Sequence, residues 1–188
     1  MRAPIVVTAA AFAFLAAGAQ AAAPERRGQG AARAALEAKS GSNVSGEVTF
    51  EEIRGRGVLV RVNARNVPPG LHGFHIHEKG DCSAPDATSA GGHFNPANRP
   101  HGAPGAKRNH AGDLGNLLAD EGGNIKYESL HEGFTLARGR ASALGKAVVL
   151  HAKPDDLKSQ PAGDAGGRIA CGVIQPVNPR PGGQQTRR

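Results

Sequence analysis

The chain contains no tryptophan, its aromatic residues make up only 4% of it, and it has two cysteines, Cys82 and Cys171, with no Cys-x-x-Cys pair. The absence of that pair argues against a zinc ribbon and against a thioredoxin-type redox site. No Gly-x-Ser-x-Gly nucleophile elbow is present, which speaks against a Ser-His-Asp hydrolase. Downstream of the N-terminus no apolar run approaches the ~20 residues that span a bilayer, so no stable membrane association is expected. Glycine (27) and proline (13) take about a fifth of the 188 residues. Both break helices, so a large helical bundle is excluded. What the chain does have is Val, Ile, Leu and Phe in short alternating runs, enough for an apolar core. One domain is the default at this length.

The formal net charge is +7. It suggests an anionic partner or substrate, but the basic residues are scattered and name none. Residues 177–188 (VNPRPGGQQTRR) carry three arginines without an aromatic for stacking. They read as a disordered basic tail rather than a nucleic-acid arm, and no nucleic-acid partner is expected. At the other end Arg2, an apolar run from Ile5 to about Ala17 and Ala19-Gln20-Ala21 read as a signal peptide over residues 1–21. The mature chain is then periplasmic or secreted, in an oxidising compartment where two cysteines can persist as a disulfide. Residues 22–31 (AAPERRGQGA) read as a flexible segment.

Period-two alternation places strands at Val48/Phe50, at Val58/Val60/Val62 and at Phe74/Ile76, with shorter runs at KAVVLHA and RIACGVIQ. The clusters NVPPG, DEGGN and ALGK separate them as turns, and the pattern predicts a sandwich or barrel. Ala31–Lys39 has a helix-forming composition instead. A Gly-, Pro-, Asn- and His-rich insert from Gly80 to Gly115 interrupts the strand rhythm, and so does a shorter one from Lys153 to Gly167 that carries Asp155, Asp156 and Asp164. Structureless loops of the first length are uncommon in a compact domain unless they serve a function.

The histidines carry the chemistry. His75 and His77 alternate with Phe74 and Ile76, so both imidazoles share one strand face, a rigid half-site for copper or zinc. The long insert adds His93-x7-His101-x8-His110-x2-Asp113. Three histidines and an aspartate make a closed tetrahedral set suited to zinc, the alternative being four solvated polar residues in a loop. His151 closes the strand AVVLHA and by itself reads as an ordinary strand-end histidine.

The motifs GFHIHEKGD (73–81), GGHFNP (91–96), HAGDLGN (110–116) and GGRIACGVI (166–174) resemble those of the copper/zinc superoxide dismutases, in particular the secreted bacterial branch. The resemblance runs from about Ala32 to Gln175. It implies a domain at 32–176 that is all-β, an immunoglobulin-like Greek-key flattened β-barrel (sandwich) with long metal-binding and channel loops, in which Ala32 onward is the first strand despite its helical composition. It implies one copper per subunit on His75, His77, His93 and His151, and one zinc on His93, His101, His110 and Asp113, with His93 bridging. It makes Cys82–Cys171 an intrachain disulfide, Arg168 the arginine at the mouth of the copper channel, and Asp155 the outer carboxylate linking a histidine of each metal. His72 matches a structural histidine. His131 has no family role and reads as a surface residue. The implied activity is dismutation of superoxide outside the cytoplasm, an antioxidant function. The resemblance allows a homodimer without fixing one.

Two departures stand out. Positions 152–167, sixteen residues between His151 and Arg168, are fewer than in the eukaryotic branch, and Ala162 stands where that branch has a threonine beside the channel. Lys79 and Lys153 are candidates for replacing the steering charges, against plain solvated lysines. The competing function class is a non-enzymatic copper or zinc carrier on the same fold; Arg168 argues against it, because a carrier has no use for a channel arginine.

Overall fold

The computed structural model describes residues 30–177. The expected signal peptide (1–21), most of the flexible segment (22–29) and most of the tail (178–188) lie outside the described residues. Nine strands form: β1 Ala31–Ala38, β2 Ser45–Ile53, β3 Gly57–Arg65, β4 Gly70–His77, β5 Asp113–Ala119, β6 Ile125–His131, β7 Ala147–His151, β8 Arg168–Val173 and the two-residue β9, Gln175–Pro176. Among the described residues there is no α-helix, only a 3-10 turn at Thr88–Ala90.

β1 forms where local composition favours helix. Ala32, Ala34 and Leu36 are buried while Arg33, Ala35 and Glu37 are exposed, a period of two. Its backbone pairs with β2 along Ala31–Leu36, with β9 at Ala32 and Arg33, and with β8 at Glu37 and Ala38. Pairing on both sides outweighs the few tenths of a kcal/mol per residue by which propensities differ. Ala31 opens β1, and the Val177 N–H donates to Ala31 O at 2.8 Å.

The strands run antiparallel in the order β5-β4-β7-β8-β1-β2-β3-β6. The connections β3 to β4 and β6 to β7 cross from one half of the barrel to the other, which makes the topology a Greek key. Phe50, Val60, Phe74, Ile76, Leu117, Ile125, Phe134, Val148 and Leu150 fill the interior. Each fully buried side chain of this size is worth ~1.5–3 kcal/mol.

β4 and β7, neighbours in this order, are buried on both faces. One face supplies Phe74, Ile76, Val148 and Leu150 to the core. The other is covered by the two long connections, residues 78–112 and 152–167. A separate apolar cluster of Ala87, Ala90, Ala147, Val149 and Cys171, with Cys82 packed against it, anchors the longer one. The Cys82–Cys171 disulfide forms, with an S–S distance of 2.02 Å across a sequence separation of 89.

Candidate metal centre

The outer face of β4 and β7 carries His75, His77 and His151. Register shifts occur between Gly73 and His75 against β5, and between Leu150 and His151 against β8. Such irregularities commonly sit beside active sites, where they re-aim a side chain. His93 joins from the long connection through an isolated antiparallel bridge to His77. His101 and His110 follow it on the same connection, and Asp113 opens β5.

The two expected quartets come together. His75, His77, His93 and His151 offer one ligand atom each, all within 4.8 Å of one another, and so do His93, His101, His110 and Asp113. In the first quartet His77 Nε2 lies 3.4 Å from His151 Nε2. In the second, His93 Nδ1, His101 Nδ1 and His110 Nδ1 lie 2.9, 3.0 and 3.2 Å from Asp113 Oδ1. His75 Nδ1 and His93 Nε2 are buried with no hydrogen-bond partner, and His101 Nδ1 is buried facing only the Asp113 carboxylate. Buried polar atoms are normally satisfied. Buried imidazole nitrogens without ordinary partners, converging with a carboxylate, fit metal ions of the copper and zinc type.

Electrostatics divides the quartets. Burial pushes the His75 imidazole down to about 4, against the hydrogen bond it donates to Asp155, and pushes His151 down to about 3. Burial also lowers His77 well below the usual histidine range. These rings stay neutral, the form in which an imidazole can bind a metal ion. At His101 burial again opposes charge, but Asp113 and then Asp155 outweigh it and the pKa rises. Burial alone would raise the Asp113 carboxyl. Hydrogen bonds from His101, His93 and the His110 N–H hold it far below the usual carboxylate range.

Around the two quartets lies a second layer of hydrogen bonds. Asp155 Oδ2 is 2.7 Å from His75 Nε2, and Oδ1 is 3.0 Å from His101 Nε2, so one buried carboxylate spans the two quartets. It leaves Nδ1 of both rings facing inward. Asn116 on β5 clamps the Asp155 main chain, donating to its carbonyl at 2.8 Å and accepting from its N–H at 2.7 Å. Gly163 lies against this carboxylate so closely that a Cβ would collide with Asp155 Oδ1 and crowd His101 Nε2, and its φ of +70° would strain any other residue. Arg168, half-buried at the start of β8, donates to Ala87 O at 2.6 Å and to Gly91 O at 2.7 Å. Lys79 and Lys153 are exposed and make no side-chain hydrogen bond or ion pair among the described residues.

His72 is buried beside the centre, with Nδ1 2.7 Å from His151 O and Nε2 2.7 Å from Pro68 O, outside both quartets. His131 corrects the sequence reading. It is not a surface residue: it is 8% exposed, its Nε2 lies 3.2 Å from Tyr127 Oη, and its ring stacks on Phe134. The burying neighbours arrive from the β6–β7 connection and from β3, which strand periodicity does not reveal. Sequence reasoning also assigned no role to Asn116, although it lies inside HAGDLGN, nor to Gln160 and Gly163, which belong to no motif.

An all-β Greek-key barrel carrying two quartets that share one histidine is the framework of a protein that could hold metal ions side by side. Residues 44–174 match the family model of copper/zinc superoxide dismutase. Superoxide dismutase [Cu-Zn] 2 and superoxide dismutase [Cu-Zn] 1 of Aquifex aeolicus are each 47% identical over 124 residues, covering 63% of this chain and 72% and 73% of theirs. The solved structure of the clock protein EA4 superposes with a TM-score of 0.72 at 38% identity, covering 79% of this chain and 95% of the other. The chain belongs to the copper/zinc superoxide dismutase family.

Proposed function

We propose that His75, His77, His93 and His151 hold copper, that His93, His101, His110 and Asp113 hold zinc, and that Arg168 guides superoxide to the copper side. The carrying observation is His93, which belongs to both quartets: Nδ1 faces Asp113 while Nε2 is buried without a partner.

The reaction is that of the family. One superoxide is oxidised to dioxygen and a second is reduced to hydrogen peroxide with two protons. Bound copper supplies the one-electron redox chemistry, and bound zinc supplies charge without redox change. The chain's own part is electrostatic and positional. Arg168 keeps a fixed positive charge at pH 7 and offers a planar donor fork to a small anion. Its two main-chain acceptors, Ala87 and Gly91, fix the guanidinium against the covering loop. Asp155 fixes the tautomers of His75 and His101 by accepting from their Nε2 atoms.

The disulfide belongs to an oxidising environment. Together with the Ala19-Gln20-Ala21 pattern it supports export, periplasmic or secreted, after cleavage near Ala22. Intact-mass analysis of exported protein tests this, and a retained Met1 would refute it. The resemblance to bacterial members allows a homodimer, which sedimentation of the mature chain would detect. The function itself is tested by a dismutation assay on copper- and zinc-loaded protein. Metal binding without dismutation would move the assignment to the carrier class.

A further inference from the structure

We propose that Gln160 is a positioning residue for the zinc quartet, acting through the main chain of His101. The inference rests on the reading of His101 as a zinc ligand.

His101 lies in a connection without regular structure, directly after Pro100, and is 4% exposed. A buried main-chain N–H and C=O there need partners. Among the described residues no main-chain group supplies them. One side chain supplies both: the His101 N–H donates to Gln160 Oε1 at 2.8 Å, and Gln160 Nε2 donates to His101 O at 3.0 Å. The amide thus acts as a two-atom piece of β-ladder across a sequence separation of 59. Its second Nε2 hydrogen bonds Lys158 O at 2.9 Å, which orients the amide from its own loop.

That loop is self-supporting. Asp156 Oδ1 accepts from the N–H groups of Lys158 at 3.0 Å and Ser159 at 2.8 Å, and Ser159 O accepts from the Gly163 N–H. The same loop supplies Asp155, which holds the His101 ring at Nε2. His101 is therefore held at three points, two on its main chain and one on its ring, all from residues 155–160. Only Nδ1 is left to point at Asp113 Oδ1, 3.0 Å away. Gln160 makes no hydrogen bond to any residue of the copper quartet, so its effect should be confined to zinc.

The chemistry of the clamp is demanding. It needs an acceptor and a donor on one planar group at this reach. A Gln160→Met side chain keeps the length and loses both bonds. Gln160→Glu keeps the acceptor for the His101 N–H but turns a carboxylate oxygen toward the carbonyls of His101 and Lys158. Outer-layer partners of metal ligands are typically worth ~10–100-fold in metal affinity or activity. This exposed amide belongs at the lower end of that range.

The test uses mature protein loaded with copper and zinc. Zinc release to a chromogenic chelator is followed at neutral pH, copper retention is measured in parallel, and exchange of the His101 amide hydrogen is read in the zinc-loaded protein. Gln160→Met should release zinc roughly tenfold faster, exchange the His101 amide faster and retain copper as wild type does. Gln160→Glu should fall between the two, and it serves as the reporter if the Met variant does not fold. Wild-type zinc release and amide exchange in both variants would overturn the proposal, even if their melting temperatures fell. A His101→Ala control separates the two readings. If it releases zinc no faster than wild type, His101 is not a ligand and the underlying assignment fails; if it loses zinc while both Gln160 variants keep it, only the clamp fails.

Discussion

His77 and Arg168 meet at a single acceptor: the Gly91 carbonyl lies 2.9 Å from His77 Nδ1 and accepts from Arg168 Nη2 at 2.7 Å. The shared oxygen ties a proposed copper ligand to the proposed guide for the substrate. It requires the proton of neutral His77 on Nδ1, which leaves Nε2 bare beside His151 Nε2. Arg168→Ala removes a charge from the path of an anion but no metal ligand. We expect activity at low salt to fall roughly tenfold, with copper content unchanged and a weaker dependence of rate on ionic strength. Arg168→Lys should retain part of the activity, since charge survives while the planar fork is lost. An Ala variant as active as wild type at low salt would remove the guiding role.

The disulfide ties the loop covering the metal face to β8, three residues beyond Arg168. Closing a loop of this length restricts the unfolded chain by about 4–5 kcal/mol on chain-entropy reasoning. Cys82→Ser with Cys171→Ser should therefore lower unfolding stability by a few kcal/mol, read from denaturant midpoints. Thiol labelling of native exported protein should find no reactive cysteine; quantitative labelling of both with unchanged stability would contradict the expectation.

Asp155 should prove a joint between the metals. In Asp155→Asn the amide can accept from only one of the two Nε2–H groups that the carboxylate now serves. Zinc affinity should drop ~10–100-fold, the range for such partners, and the copper spectrum should shift as well. Gly163→Ala should move both readouts in the same direction, because its Cβ would displace the carboxylate. A wild-type copper spectrum in both variants would show that Asp155 acts on zinc alone.

Acid should empty the quartets in sequence. His75 and His151 are held by burial at about 4 and about 3, whereas the His101 pKa is raised, with Asp113 overcoming the effect of burial. Protons thus compete for His101 at a higher pH than for the copper histidines. Metal analysis during acidification should find zinc leaving before copper; simultaneous loss would contradict this ordering.

His131 should give folding stability its own pH dependence. The unfolded ring titrates near 6.5, and burial lowers it to about 4 in the fold. Between these values the unfolded chain binds more protons, so stability is full above pH 6.5 and is lost as pH falls through 4. The loss is on the order of 3 kcal/mol. His131→Gln, which can still bond Tyr127, should show a flatter profile in that window. Parallel wild-type and variant profiles, measured on metal-free protein, would refute it.

The sequence by itself determined the elements whose signal is local. Alternation at Val58/Val60/Val62 and at Phe74/Ile76 marked β3 and β4, and the same period placed His75 and His77 on one face. Metal-binding residue types at their spacing marked the long insert as chemical rather than decorative. Residue-level reasoning left His151 an ordinary strand end; only the family motifs placed it with His75 and His77. Tertiary structure decided the rest, because those facts depend on pairings far apart in the chain. β1 is a strand because β2, β8 and β9 claim its backbone, overriding its alanine-rich preference for helix. His131 is buried because Phe134 folds back over it. Gln160 and His101 meet across 59 positions through main-chain groups, which every residue possesses and which therefore leave no mark in composition or motif. Side-chain chemistry is written in the sequence, but which backbone carbonyl or N–H it will find is settled only when the chain closes into the barrel.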